Sequence, residues 1–88
     1  EFFESGRGKT FEEILKPVES QEFLDTLATY FSCSGNLDQA AELLHAHKNT
    51  VKYRLGRIQA LTGLDLKKPE DNFMIYMAVL AWKLGAGV

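Results

Sequence analysis

Lys48, Lys52, Arg54 and Arg57 fall close together in a stretch with no carboxylate between Glu42 and Asp65. Cationic side chains at that density neutralise phosphates, and the groups interleaved with them, the Asn49 amide and the Thr50 and Tyr53 hydroxyls, form the hydrogen bonds that nucleic acids offer. Asn49 can pair with both hydrogen-bonding groups of an adenine edge, and Lys52 can donate to guanine. Asn49, Lys52 and Tyr53 are therefore the candidates for base readout, and His47, Lys48, Thr50, Arg54 and Arg57 for phosphate contact. Double-stranded DNA is the partner to which this chemistry points.

Such groups act together only if one rigid element presents them. At about 100° per residue, Val51, Leu55, Ile58 and Thr62 form one apolar stripe, which predicts a recognition helix over 48–62. Asn49, Tyr53, Gly56 and Ala60 fall opposite, with Lys52 and Arg57 flanking them. Gly63 suits a left-handed C-terminal cap. Gly56 costs about 1 kcal/mol relative to alanine in a helix interior. Close approach of a phosphate backbone would account for it, and so would a neutral surface position.

Upstream, Asn36 is an N-cap with Gln39 as its capping-box partner, and Ala40, Leu43 and Leu44 form the expected buried stripe of a short helix. Ala40 and Ala41 are small enough for two helices to cross closely, and His45-Ala46-His47 forms the turn between them. Positions 37–62 thus read as a helix-turn-helix unit. Before it, Ser20 caps a helix carrying Phe23, Leu24, Leu27, Ala28 and Phe31 at helical spacing; after it, Pro69 opens a last helix over 69–84. No strand pattern or internal repeat is present. The class is all-α, a small bundle of four to five helices containing a helix-turn-helix. Residues 1–19 read as an N-terminal linker with a short helix: Ser5, Gly6 and Gly8 favour loose chain, Thr10 can cap, and Pro17 interrupts. Residues 20–88 read as the DNA-binding domain. The opening Glu1-Phe2-Phe3 lacks an initiator Met, which points to a fragment of a longer regulator.

The last helix is apolar nearly all round from Phe73 to Trp82, whereas a peripheral helix in so small a domain needs only one buried stripe. Phe73, Ile75, Tyr76, Val79 and Trp82 are expected to form a dimer or interdomain interface. A homodimer in the full-length protein would read two half-sites about 34 Å apart. A protein-interaction module built on this helix is the alternative function.

The 88 residues carry a net charge of −2, and nine of the twelve carboxylates lie at or before Glu42, so positive charge is concentrated in the middle of the chain rather than spread over it. A single cysteine, Cys33, excludes an internal disulfide and a cysteine-cluster metal site. His45 and His47 lack a third ligand at useful spacing, so no metal or other cofactor is expected. Asp25, Asp38, Glu42, Glu70 and Asp71 are scattered over helix surfaces and caps, which argues against paired-carboxylate catalysis and against an enzyme. The longest apolar run has ten residues, half of the roughly 20 that a membrane span requires. A cytoplasmic protein with no membrane contact is expected.

The run Asn36-Leu37-Asp38-Gln39-Ala40-Ala41, the segment Leu44-His45-Ala46-His47-Lys48-Asn49-Thr50-Val51-Lys52-Tyr53-Arg54-Leu55, and then Ile58 and Leu61-Thr62-Gly63-Leu64-Asp65-Leu66 together resemble the C-terminal helix-turn-helix domain of the PucR family of bacterial transcriptional regulators. The Asn49-Thr50-Val51 turn is also similar to the Fis-type DNA-binding unit. The resemblance covers roughly Glu22 to Leu84. It implies a full-length protein with an upstream effector-sensing region, absent from this chain, and a role in switching genes of purine, sugar-acid or amino-acid metabolism.

Overall fold

The computed structural model describes residues 11–18 and 20–85, with five helices in the order α1 Phe11–Ile14, α2 Gln21–Ser32, α3 Leu37–Leu44, α4 Lys48–Thr62 and α5 Pro69–Lys83. No strand occurs among the described residues. The expectations for Ser5, Gly6, Gly8 and Thr10 fall outside them.

Local chemistry sets most of the boundaries. The Ser20 hydroxyl accepts the Phe23 N–H (3.4 Å) at the start of α2, and Asn36 Oδ1 accepts the Gln39 N–H (3.0 Å) at the start of α3. Only this half of the expected capping box is used, because the Asn36 N–H is already donated to the Cys33 carbonyl (3.0 Å). α3 ends on His45 in the left-handed conformation (φ 54°), where the next N–H, that of Ala46, reaches back to the Ala41 carbonyl (3.0 Å). Histidine thus takes a position that glycine most readily fills. Gly63 (φ 75°) ends α4 in the same way, its N–H donated to the Gln59 carbonyl (2.8 Å).

The core is a cluster to which every helix contributes. Leu24 and Leu27 come from α2, Ala41 from α3, Val51, Leu55 and Ile58 from α4, and Ile75, Ala78 and Val79 from α5. α4 packs against α2 and α3, whereas α5 lies mainly along α1 and also meets α2. In α3 the buried stripe is Ala40 and Ala41 with half-buried Leu37 and Leu44, while Leu43 is 61% exposed. The expectation for Leu43 is therefore corrected: the stripe follows i, i+3, i+4, i+7 from Leu37, and Leu43 lies off that line.

Part of the expected N-terminal linker and the segment between α4 and α5 both belong to the core. Ile14, Leu15 and Val18, assigned above to a linker, are buried in the cluster. Leu64 and Leu66 are buried between α4 and α5, held by Gln59 Oε1 accepting the Leu66 N–H (2.7 Å) and by the Asn72 side-chain amide donating to the Leu66 carbonyl (3.1 Å). Asp71, expected on a surface or cap, is buried with Oδ2 accepting the Asp65 N–H (3.0 Å). The Asp65 N–H offsets part of the cost of burying that carboxylate.

Ile58 is fully buried on α4 where α2, α3 and α5 contribute to one cluster. Ile58→Ala should lower the unfolding free energy by about 2–5 kcal/mol in urea titration, without a change in m-value.

Candidate nucleic-acid interface

α4 is held by one buried stripe and leaves the opposite face open. Val51, Leu55, Ile58 and Thr62 are buried, and Asn49, Lys52, Tyr53, Gly56, Arg57 and Ala60 are exposed. Tyr53 is 64% exposed, high for an aromatic side chain on a helix packed against two others. Asn49, Lys52 and Tyr53, the candidates for base readout, thus share one accessible face, with Thr50 half-buried on its edge.

The N-terminus of α4 is ordered by the turn that precedes it. His47 is its N-cap: Nδ1 accepts the Asn49 N–H (3.2 Å), and the His47 carbonyl accepts from Thr50 (2.9 Å) and Val51 (3.1 Å). That cap requires an unprotonated Nδ1, since an imidazolium has no acceptor. Lys48 reaches back to Asp38 in the first turn of α3 (3.1 Å), with the two side chains 43% and 80% exposed. At that exposure the pair contributes about 0–1 kcal/mol, so Lys48 is readily available to another anion.

Arg54 does not stand with the other cations. Its Nη2 donates to Glu22 Oε2 (2.9 Å) and its Nη1 to Thr26 Oγ1 (3.2 Å), while Thr26 Oγ1 donates to the Glu22 carbonyl (2.9 Å). Thr26 is fully buried and the Arg54 side chain is 17% exposed, so the guanidinium bridges α4 to α2. The expectation of an outward phosphate contact gives way here because Arg54 is three residues, about 300°, beyond Val51, which puts it on the flank of the buried stripe that faces α2. Arg57, one turn on, remains exposed.

On the other flank, Lys52, Gly56 and Gln59 border an open hollow of about 360 Å³ that is completed by Tyr30, Gly35 and Lys67, with Leu37, Leu55 and Leu66 also lining it. Tyr30 and Lys67 escaped sequence reasoning. The pair Lys67-Lys68 was a weak charge signal in an apparent connector, and Tyr30 carried none.

The residues expected to form an interface on α5 divide in two. Ile75 and Val79 are 0% and 2% exposed, so they are core residues, corrected by the cover that α1 and α2 provide. Trp82 is half-buried against the same cluster. Phe73 (57%) and Tyr76 (40%) remain exposed, the latter packed on Phe31 of α2 with ring centroids 5.2 Å apart. Among the described residues, no group of three or more His, Cys, Asp or Glu is placed to hold a metal ion, and no helix is long and apolar enough to cross a membrane.

If Arg54 orients α4 through Glu22, a double-mutant cycle of Arg54→Ala and Glu22→Ala should give a coupling of about 0.5–1 kcal/mol in chemical denaturation, the range for a partly exposed pair. Additive losses would mean that the bridge contributes nothing in solution.

Comparison with known proteins agrees with this geometry. The profile of the PucR C-terminal helix-turn-helix domain matches residues 23–81. The chain is 41% identical over 64 residues to the uncharacterized protein YsfB of Bacillus subtilis, which covers 73% of this chain and 17% of that protein. It is 35% identical over 69 residues to the purine catabolism regulatory protein of Bacillus subtilis, covering 78% of this chain and 13% of that protein. To the carbohydrate diacid regulator of Escherichia coli it is 34% identical over 74 residues, or 76% of this chain and 19% of that protein. The chain thus spans about a fifth or less of the length of these relatives. No solved structure matches it. With a helix-turn-helix whose second helix carries an exposed basic face, and a family match that takes in α3, α4 and nearly all of α2 and α5, this chain belongs to the PucR C-terminal helix-turn-helix domain family of transcriptional regulators.

Proposed function

We propose that this chain is the sequence-specific DNA-binding unit of a bacterial transcriptional regulator, without enzymatic activity, and that α4 enters the major groove. The observation that carries the reading is the exposed face of α4, where Asn49, Lys52 and Tyr53 project from a helix locked by its buried stripe. Asn49 and Lys52 read base edges, with Tyr53 beside them; His47, Lys48, Thr50 and Arg57 hold phosphates. Arg54 acts as a positioning residue through α2. Lys48 exchanges Asp38 for a phosphate as the complex forms. The regulator works in the cytoplasm, and a region upstream of this helical bundle senses its effector, as the names of the purine catabolism and carbohydrate diacid regulators suggest for a metabolic signal.

Selection of bound sites from a random duplex library tests this reading. Asn49→Ala should relax preference at one base pair by about 1–3 kcal/mol, whereas Arg57→Ala should weaken all sequences alike and reduce the salt slope by about one. An unchanged site preference in Asn49→Ala would remove Asn49 from base readout.

The exposure of Phe73 and Tyr76 favours a second role for α5, as the contact with a second copy or with the upstream region. A two-fold pair of domains would double the base contacts that one α4 makes. Tyr76→Glu should then reduce self-association of the full-length regulator in sedimentation velocity while leaving the helical circular dichroism of this domain intact. Unaltered sedimentation would exclude the contact with a second copy.

A further inference from the structure

We infer that the hollow beside α4 is a seat for one sugar-phosphate strand of the bound duplex, with Lys67 as a backbone contact from outside the helix-turn-helix. This inference rests on the reading that α4 lies in the major groove. A helix in that groove has a phosphate strand on each side of it. One flank of the exposed face carries Thr50 and Arg57. The other carries Lys52, Gly56 and Gln59, and there the surface folds up into a second wall made by Tyr30, Gly35 and Lys67.

Four features match this hollow to a polyanion. Its lining includes two lysines and no carboxylate. Asp65, two residues from Lys67, is turned onto the Lys67 N–H (2.9 Å), so its Oδ1 is occupied by the connector backbone. The wall is also rigid: Gln59 Oε1 holds the Leu66 N–H at 2.7 Å, which fixes the backbone from which the Lys67 side chain extends. The Tyr30 ring lies against Gly35, where a Cβ would meet its hydroxyl at 3.6 Å, so the lining includes a phenol that can donate to a phosphate oxygen.

Gly56 supplies an independent argument. A glycine in the middle of a helix is disfavoured, and close packing within the protein does not explain it, because a Cβ at Gly56 would meet no atom within 4 Å. Gly56 is itself part of the lining of the hollow. A strand of DNA lying there would come against the bare backbone of α4, and a longer side chain would hold it off.

Equilibrium binding of this chain to a cognate and a random duplex, each over a range of salt concentrations, tests the assignment with Lys67→Ala, Gly56→Leu and, on the opposite flank, Arg57→Ala. Lys67→Ala should weaken both duplexes about tenfold and reduce the salt slope by about 0.9, the value for one lost phosphate contact. Gly56→Leu should weaken both by a similar factor, leave the site preference unchanged and raise the thermal midpoint, because leucine is the better helix former. Wild-type binding curves for either Lys67→Ala or Gly56→Leu, with Arg57→Ala weakened, would overturn the seat and leave the placement of α4 intact. Wild-type protein that shows no salt-dependent duplex binding would overturn both.

Discussion

Burial of the Val51, Leu55, Ile58 and Thr62 stripe sets the rotation of α4 about its own axis, and every functional assignment follows from that rotation. Complete burial of an aliphatic side chain contributes about 1.5–3 kcal/mol, so turning α4 by one residue, about 100°, would expose more apolar surface than any surface charge could offset. The outward face is thus what remains when the inward face is satisfied. A polar face defined in this way needs no interaction of its own to be held in place, which leaves Asn49, Lys52 and Tyr53 free for a partner.

The cations of α4 meet different fates because of this rotation. Lys52 and Arg57 flank the exposed face, Lys48 bridges weakly to α3, and Arg54 is drawn against α2 by Glu22 and Thr26. The chain as a whole is slightly acidic, and screening limits surface fields to about 8 Å at physiological ionic strength. Attraction of DNA therefore depends on which charges lie on the same face, rather than on their sum. The hollow at Lys67 extends that face beyond α4 by bringing in a connector whose backbone is tied to Gln59.

The apolar character of α5 has a similar explanation. A helix apolar nearly all round is accommodated in this small bundle because α1 and the residues after it cover a side of α5 that α2 does not. Ile14, Leu15 and Val18 join Ile75, Ala78 and Val79 in one cluster, and the surface left for a partner narrows to Phe73, Tyr76 and their surroundings.

The sequence alone determined the helices and their ends, because caps and periodicity are local: Ser20, Asn36, Gly63 and Pro69 act within a few residues of themselves, and the stripe of α4 is a repeat along one element. It also determined the all-α class and the family, since the helix-turn-helix is a short contiguous motif with its own spacing. Only the tertiary structure decided that Arg54 turns inward, that Ile75 and Val79 are core, that Ile14 to Val18 complete the bundle, and that Tyr30 and Lys67 stand beside α4. Each of these depends on which element lies alongside another, and packing brings together residues such as Glu22 and Arg54 whose separation along the chain leaves no periodic signal.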